Sequence, residues 1–103
     1  MKNIKLLLVF FSLSTASFAK DVVLDVRTEQ EFAKSHTKNA INIDVNQDEF
    51  KKTIKQLDQT DHFKIYCRSG HRAEKAINIM KEHGFLHLEN LGSLENAKNA
   101  LKE

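Results

Sequence analysis

Lys64-Ile65-Tyr66-Cys67-Arg68-Ser69-Gly70-His71-Arg72-Ala73 is the stretch on which the reading of this chain turns. Phe63, Ile65 and Cys67 alternate with Lys64 and Tyr66, the period of a strand. From residue 72 to 83 the spacing changes. Ala73, Ala76, Ile77 and Met80 share one face of a helix, and Gly84 stands where a helix C-terminal glycine belongs. Cys67 therefore lies between the carboxyl end of a strand and the start of a helix. A loop curled over a helix N-terminus turns backbone N–H groups inward, and these favour negative charge at its centre. A thiol held there is expected to ionise below its free value of ~8.5. Gly70 permits the positive φ that a tight cradle requires.

Strand and helix alternate outward from this loop. Val22-Val23-Leu24 forms an apolar run ending at Asp25, a buried strand. Thr28 followed three residues later by Glu31 is a capping-box pattern that opens a short helix through about Lys34. Ala40 to Ile43 reads as a second strand, and Phe50, Ile54 and Leu57 place an amphipathic helix over about 47–57. Phe85 to Leu91 is expected as the fourth strand, with a last helix from about Leu94 to Leu101. The alternation predicts an α/β fold, an open, mostly parallel sheet of about four to five short strands flanked by helices. Ligands of such sheets bind beyond the carboxyl ends of the strands, where Asp25 and Cys67 both fall.

Residues 1–19 have the pattern of a cleaved export signal: Lys2 and Lys5, an apolar run from Leu6 to Phe11, then Ser17 and Ala19. That run is well short of the ~20 residues that span a bilayer. Residues 20–103 are then one small domain, expected to be periplasmic, monomeric and free of the membrane once the signal is cleaved. Lys2 and Lys5 account for the whole formal charge of +2, so the domain itself is balanced. No basic stripe with interleaved aromatics suggests nucleic-acid binding. The single cysteine cannot form an internal disulfide, and no second thiol is available to resolve a mixed disulfide, which excludes dithiol redox chemistry.

Residues 20–103 contain eleven lysines but only three arginines. Arg68 and Arg72 flank the cysteine loop, and Arg27 follows Asp25. Arginine grips planar and tetrahedral oxyanions through a fixed fork of donors, so this placement points to an anion site around a reactive thiol.

Several segments resemble the rhodanese family. Leu24-Asp25-Val26-Arg27, Glu31-Phe32, His36 and Ala40-Ile41-Asn42-Ile43 are similar to its amino-terminal pattern. Cys67-Arg68-Ser69-Gly70-His71-Arg72-Ala73 resembles its active-site loop, and Asn90-Leu91-Gly92 its closing segment. The resemblance spans about residues 21–101. It implies a thiosulfate-type sulfurtransferase with Cys67 as the catalytic nucleophile that carries sulfane sulfur as a persulfide. Arg68, Ser69, Gly70, His71 and Arg72 would bind substrate: the backbone N–H groups of 68–72 would hold the persulfide anion, and Arg68 with Arg72 the sulfonate. Asp25 is expected to support the loop by accepting from Arg72 or the loop backbone, with Arg27 supporting the nearby acids or lining the rim. Glu31 and His36 are expected as structural partners, and the His71 side chain is expected to face the entrance. The implied partners are a small-molecule sulfur donor and a thiophilic acceptor such as cyanide or a thiol, including a protein thiol. No cofactor is implied.

The sequence departs from the family pattern at Ser35 to Ala40, which lacks the usual glycines and proline, and at Ser93, where a second glycine is usual. The chain is also short for the fold, so an edge strand or helix is expected to be missing. A metal site has no ligand spacing to support it. His83 and His87 are four apart, but Gly84 interrupts any helix they would share. A tyrosine-type phosphatase places five residues between its cysteine and arginine, whereas Cys67 and Arg72 are separated by four. The remaining alternative is a persulfide carrier that loads once and hands sulfur to a protein partner.

Overall fold

The computed structural model describes residues 18–103; the expected export signal lies, apart from its last two residues, outside the described residues. Eight elements follow in order: β1 (Asp21–Asp25), α1 (Glu29–Lys34), β2 (Ile41–Asn42), α2 (Phe50–Ile54), β3 (His62–Tyr66), α3 (His71–Glu82), β4 (Leu88–Gly92) and α4 (Leu94–Ala100). The four strands form one sheet in the order β2-β1-β3-β4, and every pairing is parallel. Leu24 pairs with Ile65 and with Ile41, so the apolar runs seen in sequence lie side by side at its centre.

Parity along the strands divides the core. Leu24, Phe63 and Ile65 point to one face, where they pack with Phe50 and Ile54 of α2 and with Ala73, Ala76 and Met80 of α3. Tyr66 and Leu91 point to the other face, against Ala97 of α4. Removing each large side chain from water contributes about 1.5–3 kcal/mol, which makes the first face the main source of stability.

The helix ends follow the local chemistry. Thr28 and Glu31 form the reciprocal capping box at the start of α1. Ser93 caps α4 by accepting from the Asn96 N–H, so the residue that departs from the family glycine has a task of its own. In the 35–40 segment, which lacks glycine, Asn39 takes φ +60°, a conformation asparagine tolerates, whereas Ser35 is extended.

The boundaries of two elements shift by three residues from the sequence expectation. The strand expected from Phe85 begins only at Leu88, because α3 closes with a Schellman turn. Gly84 N–H donates to Lys81 O, and Phe85 N–H reaches back to Met80 O. This folds Phe85 inward, edge-on to Phe63 with ring centroids 5.5 Å apart. The helix expected over 47–57 contracts to Phe50–Ile54, because Asp44 draws the chain before it into a turn through Asn46 N–H. Phe50 and Ile54 keep the expected spacing within the helix, and Leu57 lies past its end, where the N–H groups of Gln56 and Leu57 reach back only three residues, to Thr53 O and Ile54 O.

Candidate active site

Cys67 leaves the end of β3 with its N–H donated to Gly92 O at 2.9 Å, which extends the β3–β4 ladder by one residue. The chain then turns through Arg68 and Ser69 to Gly70, the residue before α3, at φ +101°. Asn90 clamps the turn from β4. Its Nδ2 donates to Gly70 O at 3.0 Å, and its Oδ1 accepts from Gly92 N–H at 2.8 Å. One side chain thus ties the loop to the strand that also receives Cys67.

The loop encloses the sulfur. Gly70 N–H donates to Cys67 Sγ at 2.9 Å. Burial pushes the thiol up, but the N–H groups of Ala73, Ser69, Gly70 and Arg72 together outweigh it and leave Cys67 below its ordinary value. Of the N–H groups expected from residues 68–72, those of Ser69, Gly70 and Arg72 act on the sulfur, and Ala73 N–H joins them. Cys67 itself is fully covered, and its inner side packs in the main core. The thiol is thus both a core residue and the centre of an anion cradle.

The three arginines have separate roles. Arg27 is buried against Asp25, donating its backbone N–H, Nε and Nη2 at 2.7–3.1 Å. Its Nη2 also reaches Ser35 O, and the guanidinium lies 5.5 Å from the centre of the Tyr66 ring. The hydrogen bond to Asp25 is the main reason that the Arg27 pKa is raised further. Asp25 was expected to receive Arg72 or the loop backbone. It receives Arg27 instead, because a side chain two residues away completes a fork at the strand end before the more distant loop can.

Arg72 turns to α1. Its Nη1 and Nη2 meet Glu31 Oε1 and Oε2 at 2.7 and 3.1 Å, a bidentate pair. The hydrogen bond from Arg72 is the largest influence on Glu31, which falls to about 2. This commits the Arg72 side chain and removes it from the expected grip on a sulfonate, while its N–H serves the cradle. Arg68, Ser69 and His71 are exposed. His36 stacks on Phe32 and bonds to Phe32 O, a structural part.

Three residues that shape the site had no role in the sequence reading. Asn90 belonged to a recognised segment, but its double hydrogen bond needs the strand pairing. Tyr66 is wholly buried beside Cys67 and accepts Thr37 N–H at 3.2 Å. Thr37 is buried with it, and its Oγ1 has no hydrogen-bond partner among the described residues. These contacts join positions about thirty apart in sequence, and no local pattern marks them.

A parallel α/β sheet that presents one lowered thiol in a ring of backbone N–H groups defines a cysteine-dependent domain built to hold sulfur-centred negative charge. The comparisons give its family. Residues 13–101 match the rhodanese-like domain, and the chain belongs to the rhodanese-like family. It is 32% identical to the thiosulfate sulfurtransferase PspE of Escherichia coli (strain K12), over 91% of this chain and 88% of that protein. It is 35% identical to the putative sulfur carrier protein YrkF of Bacillus subtilis (strain 168), over 67% of this chain and 36% of that protein. tRNA uridine(34) hydroxylases also match, one from Cytophaga hutchinsonii at 42% identity over 62% of this chain but only 22% of its own length. Among solved structures, a rhodanese from E. coli with anions superposes with a TM-score of 0.63 at 29% identity, covering 74% of this chain and 89% of that one. At family level these relatives support sulfur transfer.

Proposed function

We propose that this protein transfers sulfane sulfur from thiosulfate, or a donor like it, to a thiophilic acceptor through a persulfide on Cys67. The observation that carries the reading is the Cys67 sulfur, held below its ordinary pKa by converging backbone N–H groups. The Cys67 thiolate attacks the outer sulfur of thiosulfate. The S–S bond of the donor breaks, its electron pair leaves with sulfite, and a Cys67 persulfide anion remains. Cyanide or a thiolate then attacks the outer sulfur, and the electron pair of that S–S bond returns to Cys67. The N–H groups that favour the thiolate suit the persulfide anion equally, so the intermediate is stabilised with no further rearrangement of dipoles.

Cys67 is fully covered in this structure, so the domain has to open before a donor reaches the sulfur. That closure, with the likeness to a sulfur carrier, favours as a second reading a carrier that loads slowly and delivers to a protein thiol. The protein acts as a monomer in the periplasm, without cofactor, metal or nucleic acid. This placement is supported by the signal-like pattern of residues 1–19. Among the described residues, no helix is long and apolar enough to cross a membrane.

The test is intact mass of the reduced domain after incubation with thiosulfate, alongside Cys67→Ser, with sulfite release followed over time. The expected result is one added sulfur atom on the wild type alone, with repeated sulfite release once cyanide is present. Loading without turnover selects the carrier. Folded protein that gains no sulfur from any sulfane donor overturns both.

A further inference from the structure

At the end of the sheet opposite the cysteine loop, Asp61 is a carboxylate without a counter-charge. It is 5% exposed at the entry to β3, yet among the described residues no cationic side chain lies within ion-pair distance of it. Its neighbour Asp58 is engaged in its own turn, accepting from Thr60 N–H and Oγ1 at 2.9 and 2.7 Å. Asp61 N–H closes that turn on Asp58 O. The Asp61 side chain accepts one hydrogen bond among the described residues, from Lys20 N–H to Oδ1 at 2.9 Å. A carboxylate taken out of water against a single neutral amide is poorly compensated.

The donor nitrogen has a second property. Lys20 stands directly before β1 and directly after Ala19, where the small residues Ser17 and Ala19 mark the end of the signal-like pattern. Phe18, Ala19 and Lys20 are exposed and belong to no strand or helix. Lys20 O nevertheless accepts His62 N–H at 2.8 Å, at the start of the β1–β3 ladder. The bond between Ala19 and Lys20 is thus open to a peptidase, while the residue after it is fixed to the sheet. Hydrolysis adds water across that bond. The Ala19 carbonyl carbon takes the hydroxyl, Lys20 N takes the hydrogen, and the proton of the new carboxyl passes to the amine. The neutral amide that donates to Asp61 becomes an ammonium at the same place.

We propose that the Ala19–Lys20 bond is the maturation site of this protein, and that the new α-ammonium of Lys20 pairs with buried Asp61, clasping β1 to the entry of β3 once the signal is gone. The proposal rests on the export reading of residues 1–19 and extends it to the stability of the exported domain. The precursor holds the same contact as a neutral hydrogen bond, so cutting strengthens the fold without moving an atom of the sheet. Other charges near the amine are already engaged or lie further off. Asp21 meets Lys64 at 4.0 Å, and Glu103 accepts Lys38 N–H across a cleft that Lys20 and Lys102 also line. Asp58 and His62 flank Asp61 in the chain and are exposed.

The experiment begins with intact mass of the full chain expressed in a bacterial host with active export, and the expected species is residues 20–103. Urea unfolding then compares residues 20–103 with residues 19–103, in which Lys20 N is again an amide and the terminal ammonium sits one residue further out. Each form is made with Asp61 and with Asp61→Asn. Every strand and helix of the described residues lies within 21–100, so both forms contain the whole fold. The unfolding constant of 20–103 should be about five- to tenfold smaller than that of 19–103, the difference between a charged and a neutral hydrogen bond. Asp61→Asn should reduce that ratio to less than about twofold. The α-amine titrates at about 8 in the unfolded chain and higher beside Asp61, so the ratio is complete below about pH 7 and is lost as pH rises past about 10. Equal unfolding constants for the two forms, or a ratio unchanged by both Asp61→Asn and high pH, overturns the clasp. Should Asp61→Asn fail to fold, the two lengths compared across pH decide alone. An exported chain that begins at a residue other than Lys20 overturns the maturation site, whereas a full chain left uncut in the cytoplasm overturns the export reading beneath it.

Discussion

Replacing Glu31 by Gln should remove the charge that holds Arg72 while keeping much of the helix cap, since glutamine also serves at that capping-box position. The Glu31 carboxylate is lowered to about 2 in the folded protein, chiefly by its hydrogen bond from Arg72. Taken whole, a displacement from 4.5 to about 2 corresponds to about 3 kcal/mol. Both side chains are about a quarter exposed, so solvent screening reduces this to about 1–2 kcal/mol. For a domain of this size that is a Tm lower by roughly 5–15 °C at pH 7. Because the folded pKa lies below the unfolded one, the contribution is complete above about pH 4.5 and is lost as pH falls through about 2. Urea unfolding of both proteins, followed by circular dichroism between pH 7 and pH 3, should therefore show a gap that narrows as pH falls. The variant also leaves Arg72 without its counter-charge beside the thiolate, so Cys67, followed by its ultraviolet absorbance, should titrate lower than in wild type. A gap that is constant with pH, or one that widens on acidification, would refute the ion-pair reasoning and assign the loss to packing.

Other variants address the loop and the buried pair. Gly70→Ala should cost about 1–2 kcal/mol, because φ is +101° there, while the nearest atom to an added Cβ, Gly92 Cα, lies at an ordinary 3.5 Å. Equilibrium unfolding measures that cost, and a neutral result would mean that the loop relaxes to negative φ. Asp25→Asn should destabilise by about 3–5 kcal/mol, since it leaves the Arg27 guanidinium buried against a neutral group. Denaturant midpoints read this directly, and a loss below about 1 kcal/mol would show that water reaches Arg27.

The sequence alone was sufficient wherever the causes are local. The periods of 63–67 and 73–80, the Thr28–Glu31 cap and Gly84 act within a few residues, so they predict the strands, helices and parallel order that the structure has. The position of Cys67 between a strand end and a helix start likewise carries its lowered pKa, since the N–H groups responsible lie within six residues of it. Element boundaries moved where a local turn competed, at Phe85 and before Phe50. Tertiary structure alone decided which acid meets which arginine. Asp25, Glu31, Arg27 and Arg72 allow several pairings on paper. At the end of β1 Asp25 closes on Arg27 two residues along, which leaves Glu31 of α1 to meet Arg72 from the loop. Only the fold brings Lys34, Arg68 and Arg27 to one cleft and sets Asn90 across from Gly70. Such contacts depend on the direction of side chains from separate elements, and periodicity along one element holds no information about its distance from the next.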